Sequence, residues 1–221
     1  METAADSGRL AAMRHAMVAS QLRTNSVNDP RLVAVMARVP RERFLPAEVG
    51  ALAYRDTAVP LGNGRYANLP IATGRLLAMA QIAPNDHVLL IGAAGGYTAA
   101  VVAELCGSVV AVESDPLLAS HARQALSDFP NVTLVEGPLG KGAADHGPYD
   151  VLVIDGAVAQ LPDVLADQVK IGGRVVTGLV DNGVTRLATG CRSAGGFGLV
   201  DFADIDCVCL PGFTRTAAFV F

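Results

Sequence analysis

The chain has no excess of basic residues: 17 Lys and Arg against 21 Asp and Glu leave a formal net charge of -4. The phosphate contacts of nucleic-acid binding need the opposite balance, so nucleic acid is not an expected partner. Cysteine is scarce. Cys106, Cys191, Cys207 and Cys209 are too few and too unevenly spaced for a disulfide framework or a four-ligand zinc site. They are expected as reduced thiols, with Cys207 and Cys209 on one face of a strand. His15, His87, His121 and His146 are scattered, no two at ligand spacing, and no metal is expected. No run of about 18 apolar residues is present, and Glu2 and Asp6 precede the first arginine, unlike a secretory leader. A cytoplasmic protein without a membrane partner is expected. Internal repeats and low-complexity segments are also lacking.

What remains is a globular composition, 51% hydrophobic and 17% charged over 221 residues. That length suits one domain with an appendage. The expected organisation is a single unit, 1–221, made of a helical extension over 8–58 and a Rossmann-like core over 86–221. In residues 8–23, Leu10, Met13, Met17, Val18 and Leu22 fall roughly on one helical stripe. Asp29-Pro30 then supplies an N-cap and a proline at the first helical position. That second helix carries Leu32, Val33, Val35, Met36 and Val39 and should stop before Pro40. Residues 59–70 read as a Gly/Pro/Asn-rich loop, either linker or site.

From about Asp86 short β-branched runs alternate with helical stretches, the mark of βαβ units and a parallel sheet. Strands are expected at 87–91, 109–112, 132–136, 151–154 and 174–179, and helices near 97–105, 117–129 and 161–169. Asp181-Asn182-Gly183 and Ala194-Gly195-Gly196 are hairpin signals, so an antiparallel edge should close the sheet. The tail ends in an apolar run, 216–221.

The strongest local signal is VLLIGAAGGYTAAVVAELCGSVVAVES: strand, glycine turn, helix, second strand ending in Glu113. Glycines let the backbone bend tightly and approach a ligand. An acid about 20 residues past the first glycine is placed to accept hydrogen bonds from two ribose hydroxyls. Gly92, Gly96 and Glu113 are therefore expected to line a cofactor cleft. Ala94 stands where a middle glycine is wanted, and alanine tolerates a positive φ poorly.

The stretches MVASQLRTNSVNDPRLVAVMARVPRERFLP, AYRDTAVPLGNG, VLLIGAAGGYTAAVVAELC, AVES, NVTLVEG, PYDVLVIDGA and LPDVLADQVKIGGRVV resemble the protein-L-isoaspartate O-methyltransferases. These enzymes use S-adenosylmethionine to methylate the abnormal carboxylate of isoaspartyl residues. The resemblance covers roughly residues 17–176. It implies an α/β fold with a doubly wound, seven-stranded, mostly parallel sheet of the class I methyltransferase type. It implies S-adenosylmethionine as cofactor, held by Gly92, Ala94, Gly96, Glu113, Ser114, Pro138 and Leu139. The implied partner is a protein or peptide with damaged Asp or Asn residues, bound by Tyr66, Asn68 and Asp155. In this picture the helices of 8–39 hold the loop 61–70 over the site.

Four positions depart from the family. Leu90 replaces an acid before the glycine loop. Gly137-Pro138-Leu139 replaces Gly-Asp-Gly, and Pro138 offers adenine neither a side-chain acceptor nor an N–H. In Tyr66-Ala67-Asn68-Leu69-Pro70, Asn68 takes the place of the active-site serine and is the catalytic candidate. Asp155 stands where the family has an uncharged residue at the carboxyl end of the fourth strand, the ligand edge of an open α/β sheet. It either caps the following turn and faces away, or points into the pocket, where a second carboxylate disfavours an isoaspartyl acceptor. The first two departures imply weakened cofactor binding. Three readings stay open: an isoaspartyl-type methyltransferase, a methyltransferase with a neutral acceptor, and a non-catalytic binding module. A nicotinamide dehydrogenase is disfavoured because no Tyr-x-x-x-Lys pair occurs.

Overall fold

The protein is described by a computed structural model covering residues 4–213; the apolar run 216–221 lies outside the described residues. Helix α1 (Ala4–Met17) runs on through a widened turn at Val18–Leu22 and a tight turn at Arg23–Asn25. Helix α2 (Pro30–Arg38) begins as its sequence dictates. The Asp29 carboxylate accepts from the amides of Arg31 (2.8 Å) and Leu32 (3.2 Å), and Val39 ends the helix ahead of Pro40. Leu32, Val33, Val35 and Met36 are buried on one stripe.

Residues 59–70 are not a plain loop. They form a hairpin, β1 (Val59–Gly62) and β2 (Arg65–Ala67), turned by three left-handed residues, Gly62 (φ 94°), Asn63 (φ 49°) and Gly64 (φ 72°). Helix α3 (Pro70–Ala80) follows directly, buried at every position except Arg75, Ala78 and Met79. With almost no polar face, it gives no amphipathic signal.

The remaining elements are β3 (His87–Ile91), α4 (Tyr97–Ala103), β4 (Ser108–Glu113), α5 (Pro116–Ala125), β5 (Val132–Glu136), β6 (Tyr149–Val158), the single turn α6 (Asp163–Ala166), β7 (Val169–Asp181), β8 (Val184–Ser193) and β9 (Gly196–Ala203). The expected helix over 161–169 shrinks to α6 because Val169 already opens β7, and α5 ends at Ala125, short of Pro130. The seven-stranded sheet has the order β5-β4-β3-β6-β7-β8-β9. Its first five strands are parallel, and β8 and β9 add the antiparallel edge. Helices cover both faces: Val88 and Leu90 of β3 enter one apolar cluster with the N-terminal helices, while Leu89 and Ile91 enter the other. The fold is thus the doubly wound α/β class.

Strand order reverses between β3 and β6, and the crevice at their carboxyl ends is where such sheets bind ligands. The chain returns there after β9. Cys209 bridges to Ala157, whose amide donates to the Val208 carbonyl (2.7 Å) and whose carbonyl accepts from Leu210 (2.9 Å). In this segment Cys207 is buried and Cys209 exposed, so the two thiols do not share a face as a regular strand would require.

Candidate active site

The β3–α4 turn is the glycine loop. Gly92 (φ 82°), Ala94 (φ 49°) and Gly96 (φ 103°) all take left-handed conformations, so Ala94 carries the strain its methyl predicts. The amides of Gly92 and Ala93 both donate to the Val112 carbonyl, at 3.1 and 3.0 Å, which ties the loop to the end of β4. A Cβ on Gly95 would lie 1.9 Å from the Phe44 carbonyl oxygen. That glycine is required for packing under the tight turn Arg41–Phe44, a need no spacing rule in the sequence signals. A side chain on Gly96 would meet Leu126 and Phe44, so this glycine also serves helix packing.

Glu113 ends β4 beside this loop, fully buried at 0% exposure. It does not present a free carboxylate toward a ribose. Arg65, 7% exposed, donates to both its oxygens at 2.5 and 3.0 Å. The amides of Ala94 (2.7 Å), Ser114 (2.8 Å) and Asp115 (2.9 Å) donate as well.

Between the loop, the hairpin and the Arg41–Phe44 turn lies a narrow pocket of only about 20 Å³, walled by Arg41, Arg65, Asn68, Tyr97, Thr98 and Asp155 among others. Asp155 sits where the β6–β7 register shifts, between Val153 and Ala157, and it faces the pocket; the outward-facing cap is ruled out. Its Oδ1 accepts from Asn68 Nδ2 (3.0 Å) and Thr73 Oγ1 (2.8 Å), and its Oδ2 accepts from Thr98 Oγ1. Asn68 is equally committed. Its Nδ2 also donates to Cys207 Sγ (3.3 Å), while its Oδ1 accepts from the amides of Leu69 (3.1 Å) and Val208 (3.2 Å). The catalytic candidate thus serves as a strut joining hairpin, sheet and C-terminal segment. Tyr66, 48% exposed, stays at the rim.

The groups left without partners are ones that sequence reasoning passed over. Arg41 is 2% exposed; its Nη2 donates to the Asn68 carbonyl (2.5 Å), its guanidinium lies 4.9 Å from the Tyr97 ring centre, and its Nε has no partner. Tyr97 Oη, also buried, has none either. Burial lowers the Arg41 pKa, opposed by Tyr97 and Asp155. Burial likewise pushes the Tyr97 phenol up to about 12, so it remains a donor at neutral pH. The charged triplet Arg41-Glu42-Arg43, set between apolar Val39-Pro40 and Phe44-Leu45-Pro46, was the available clue.

Ser114, Pro138 and Leu139 line a separate, open groove with Glu136, Lys141 and Pro211. Leu139 is a buried member of the second apolar cluster, not a free plate for adenine. Leu210 lines the pocket and packs against the glycine loop: a Cβ on Gly92 or Gly156 would lie 3.0 and 2.6 Å from its side chain. Leu90 is fully buried among apolar residues. Among the described residues, no group of three or more His, Cys, Asp or Glu could hold a metal ion. No described helix is long and apolar enough to cross a membrane.

A doubly wound sheet with a glycine turn at its switch point and an acid closing the next strand defines a nucleotide-cofactor enzyme of the class I methyltransferase type. The chain belongs to the protein-L-isoaspartate(D-aspartate) O-methyltransferase family, whose model matches residues 13–196. It is 38% identical over 173 residues to protein-L-isoaspartate O-methyltransferase 1 of Rhodopseudomonas palustris, covering 77% of this chain and 71% of that protein. It is also 38% identical over 178 residues to the Aeropyrum pernix protein-L-isoaspartate O-methyltransferase, covering 78% and 68%. Its fold matches a solved protein-L-isoaspartate O-methyltransferase with a TM-score of 0.78 at 21% identity, over 90% of this chain and 66% of that longer one. A Plasmodium falciparum structure described as this enzyme, in complex with S-adenosyl-L-homocysteine, matches with a TM-score of 0.74 at 15% identity, over 89% and 97%.

Proposed function

We propose that this protein is an S-adenosylmethionine-dependent methyltransferase acting on the isoaspartyl carboxylate of damaged Asp and Asn residues in cytoplasmic proteins or peptides. The observation that carries the reading is the pair of buried, unpartnered donors, Arg41 Nε and Tyr97 Oη, in the walls of the switch-point pocket. A carboxylate, which only accepts, is the complement to such donors.

The residues present fit the cofactor in one respect and resist it in another. The left-handed glycine loop and the Ser114–Lys141 groove form a cradle around the β3, β4 and β5 ends, while Glu113 is reachable only if Arg65 yields. When bound, the cofactor supplies a methyl group on a positively charged sulfur. The protein's share is to bind and orient. An acceptor carboxylate with a pKa near 4 is already ionised at pH 7 and needs no general base. Donors from Asn68, Thr73 and Thr98 occupy the oxygens of Asp155, which commits this carboxylate as a structural acceptor.

Two like charges about 4 Å apart at an effective dielectric of 20 repel by about 4 kcal/mol. An acceptor carboxylate at that distance from Asp155 would meet this repulsion, and the Arg41 guanidinium, whose charge already interacts with Asp155, would offset it. Exclusion of water by the pocket walls would favour loss of charge between an acceptor carboxylate and the bound cofactor. The test is a methylation assay with an isoaspartyl peptide and its normal aspartyl twin. Base-labile methyl incorporation into the isoaspartyl peptide alone is expected. Incorporation into neither peptide, with no S-adenosylhomocysteine binding at millimolar ligand, refutes the assignment.

A further inference from the structure

The carboxylate of Glu113 offers about four lone-pair sites and already accepts from Arg65 through two nitrogens and from three backbone amides. Nothing is left for a ribose diol. The donors are not equal in kind. Those of Ala94, Ser114 and Asp115 belong to the backbone and cannot withdraw without unmaking the glycine loop and the turn after β4. Arg65 donates from a long side chain on β2, and it alone can leave by rotating its own bonds.

An alternative partner lies next to it. Arg65, Asn63, Ser114 and Asp115 line a common groove, and the Asp115 carboxyl, which also caps α5 through the amides of Leu117 and Leu118, is held below its ordinary range first by the Asn63 hydrogen bond, then by those amides, with the positive charge of Arg65 contributing least. Asn63 Nδ2 donates to Asp115 at 3.0 Å, so the hairpin is fastened to this strand end at two neighbouring points.

We infer that Arg65 is the residue that sets cofactor affinity: it competes with the ribose hydroxyls for Glu113, and a ribose-bearing ligand gains that acid only by driving the guanidinium across to Asp115. The inference rests on the cofactor assignment above. Arg65 acts through Glu113, as a positioning residue of the hairpin, and the exchange replaces a two-pronged charged contact with two hydroxyl contacts. The ribose hydroxyls therefore contribute little net affinity in the natural protein and their full share once Arg65 is shortened.

Titration calorimetry with S-adenosylhomocysteine and its 2′,3′-dideoxy counterpart, on the wild type and on Arg65→Gln, tests this. Arg65→Gln is expected to bind S-adenosylhomocysteine at least tenfold tighter than the wild type. The penalty for deleting the two hydroxyls should also grow at least tenfold in the variant, a change a merely structural role would not produce. Equal or weaker binding by Arg65→Gln, or an unchanged hydroxyl penalty, overturns the inference while leaving the cofactor assignment intact. Failure of the wild type itself to bind S-adenosylhomocysteine overturns both. Should Arg65→Gln not fold, guanidinium-detected NMR of the wild type decides. The slowly exchanging Arg65 signal, assigned through Arg65→Lys, must vanish on saturation with S-adenosylhomocysteine, and its persistence refutes the exchange of partners.

Discussion

Asp155→Ala removes one small acid and strands three donors. Thr73 and Thr98 are 1% and 3% exposed and Asn68 4%, so their hydroxyls and amide lose an acceptor that water cannot readily replace. A hydrogen bond to a charged group contributes about 1.5–3 kcal/mol, and a donor left buried costs about 1–3 kcal/mol. The three are coupled through one carboxylate, and threonine hydroxyls recover part of the loss by turning to backbone carbonyls, so the sum is not additive. The total should fall at about 3–5 kcal/mol. For a chain of this size each kcal/mol moves Tm by about 2–4 °C, which gives a drop of roughly 6–20 °C, measured by circular dichroism. Asp155→Asn keeps the oxygen that Asn68 and Thr73 donate to and lets the Thr98 hydroxyl accept instead. Its drop should be less than half as large. A Tm for Asp155→Ala within about 2 °C of wild type, or an equal loss in Asp155→Asn, would refute the account of Asp155 as the knot between hairpin, α3, α4 and β6.

Ala94→Gly should stabilise the fold by about 0.5–1 kcal/mol in urea titrations, because relief of a left-handed alanine (about 1–2 kcal/mol) exceeds the added chain entropy of glycine; a loss of stability would show that the methyl packs usefully. Burial pushes the Cys207 thiol up to about 12 from 9.0, so the folded protein keeps a proton that the unfolded chain releases. That contribution is fully present below pH 9 and is lost as pH rises from 9 through 12. Cys106, Tyr97 and Tyr149, also raised to about 12 by burial, act with the same sign. The urea midpoint should fall steeply above pH 9, less so in Cys207→Ser, and at pH 8 iodoacetamide should label Cys191 and Cys209 but spare Cys207. Pro138→Asp, at an exposed position of the open groove with Leu139 kept in the core, should tighten S-adenosylhomocysteine by roughly 2- to 13-fold, the value of one added hydrogen bond; unchanged affinity would place adenine elsewhere.

The sheet was legible where burial on both faces leaves a β-branched run with no polar alternation to misread. Strands β3 and β5 begin and end where the residues say, and Asp29-Pro30 starts α2. Helix α3 was hidden by its own completeness of burial, and the hairpin was hidden because its strands are four and three residues long. Within the site, the glycine loop and Glu113 follow from local spacing. The partner of Glu113 does not: Arg65 lies 48 positions away, and only the folded hairpin brings it in. Arg41, Tyr97 and Leu210 were missed for the same reason, since each acquires its role from a neighbour distant in the chain. Asn68 and Asp155 were singled out for what they might do to a substrate, and the structure shows first what they do to each other.

The return of the chain to Ala157 bears on when the protein becomes competent. A ribosome adding about 5–20 residues per second releases the glycine loop on the order of ten seconds before Leu210. Until then the loop, Glu113 and Arg65 are all present, yet Gly92 has no cover and Asn68 lacks the Val208 amide and the Cys207 sulfur that hold it. A nascent chain, or one truncated after β9, owns all seven described strands of the sheet and still has an unsealed pocket. Synthesis itself acts as a timer, and the arrival of residues 207–210 decides when the pocket is sealed.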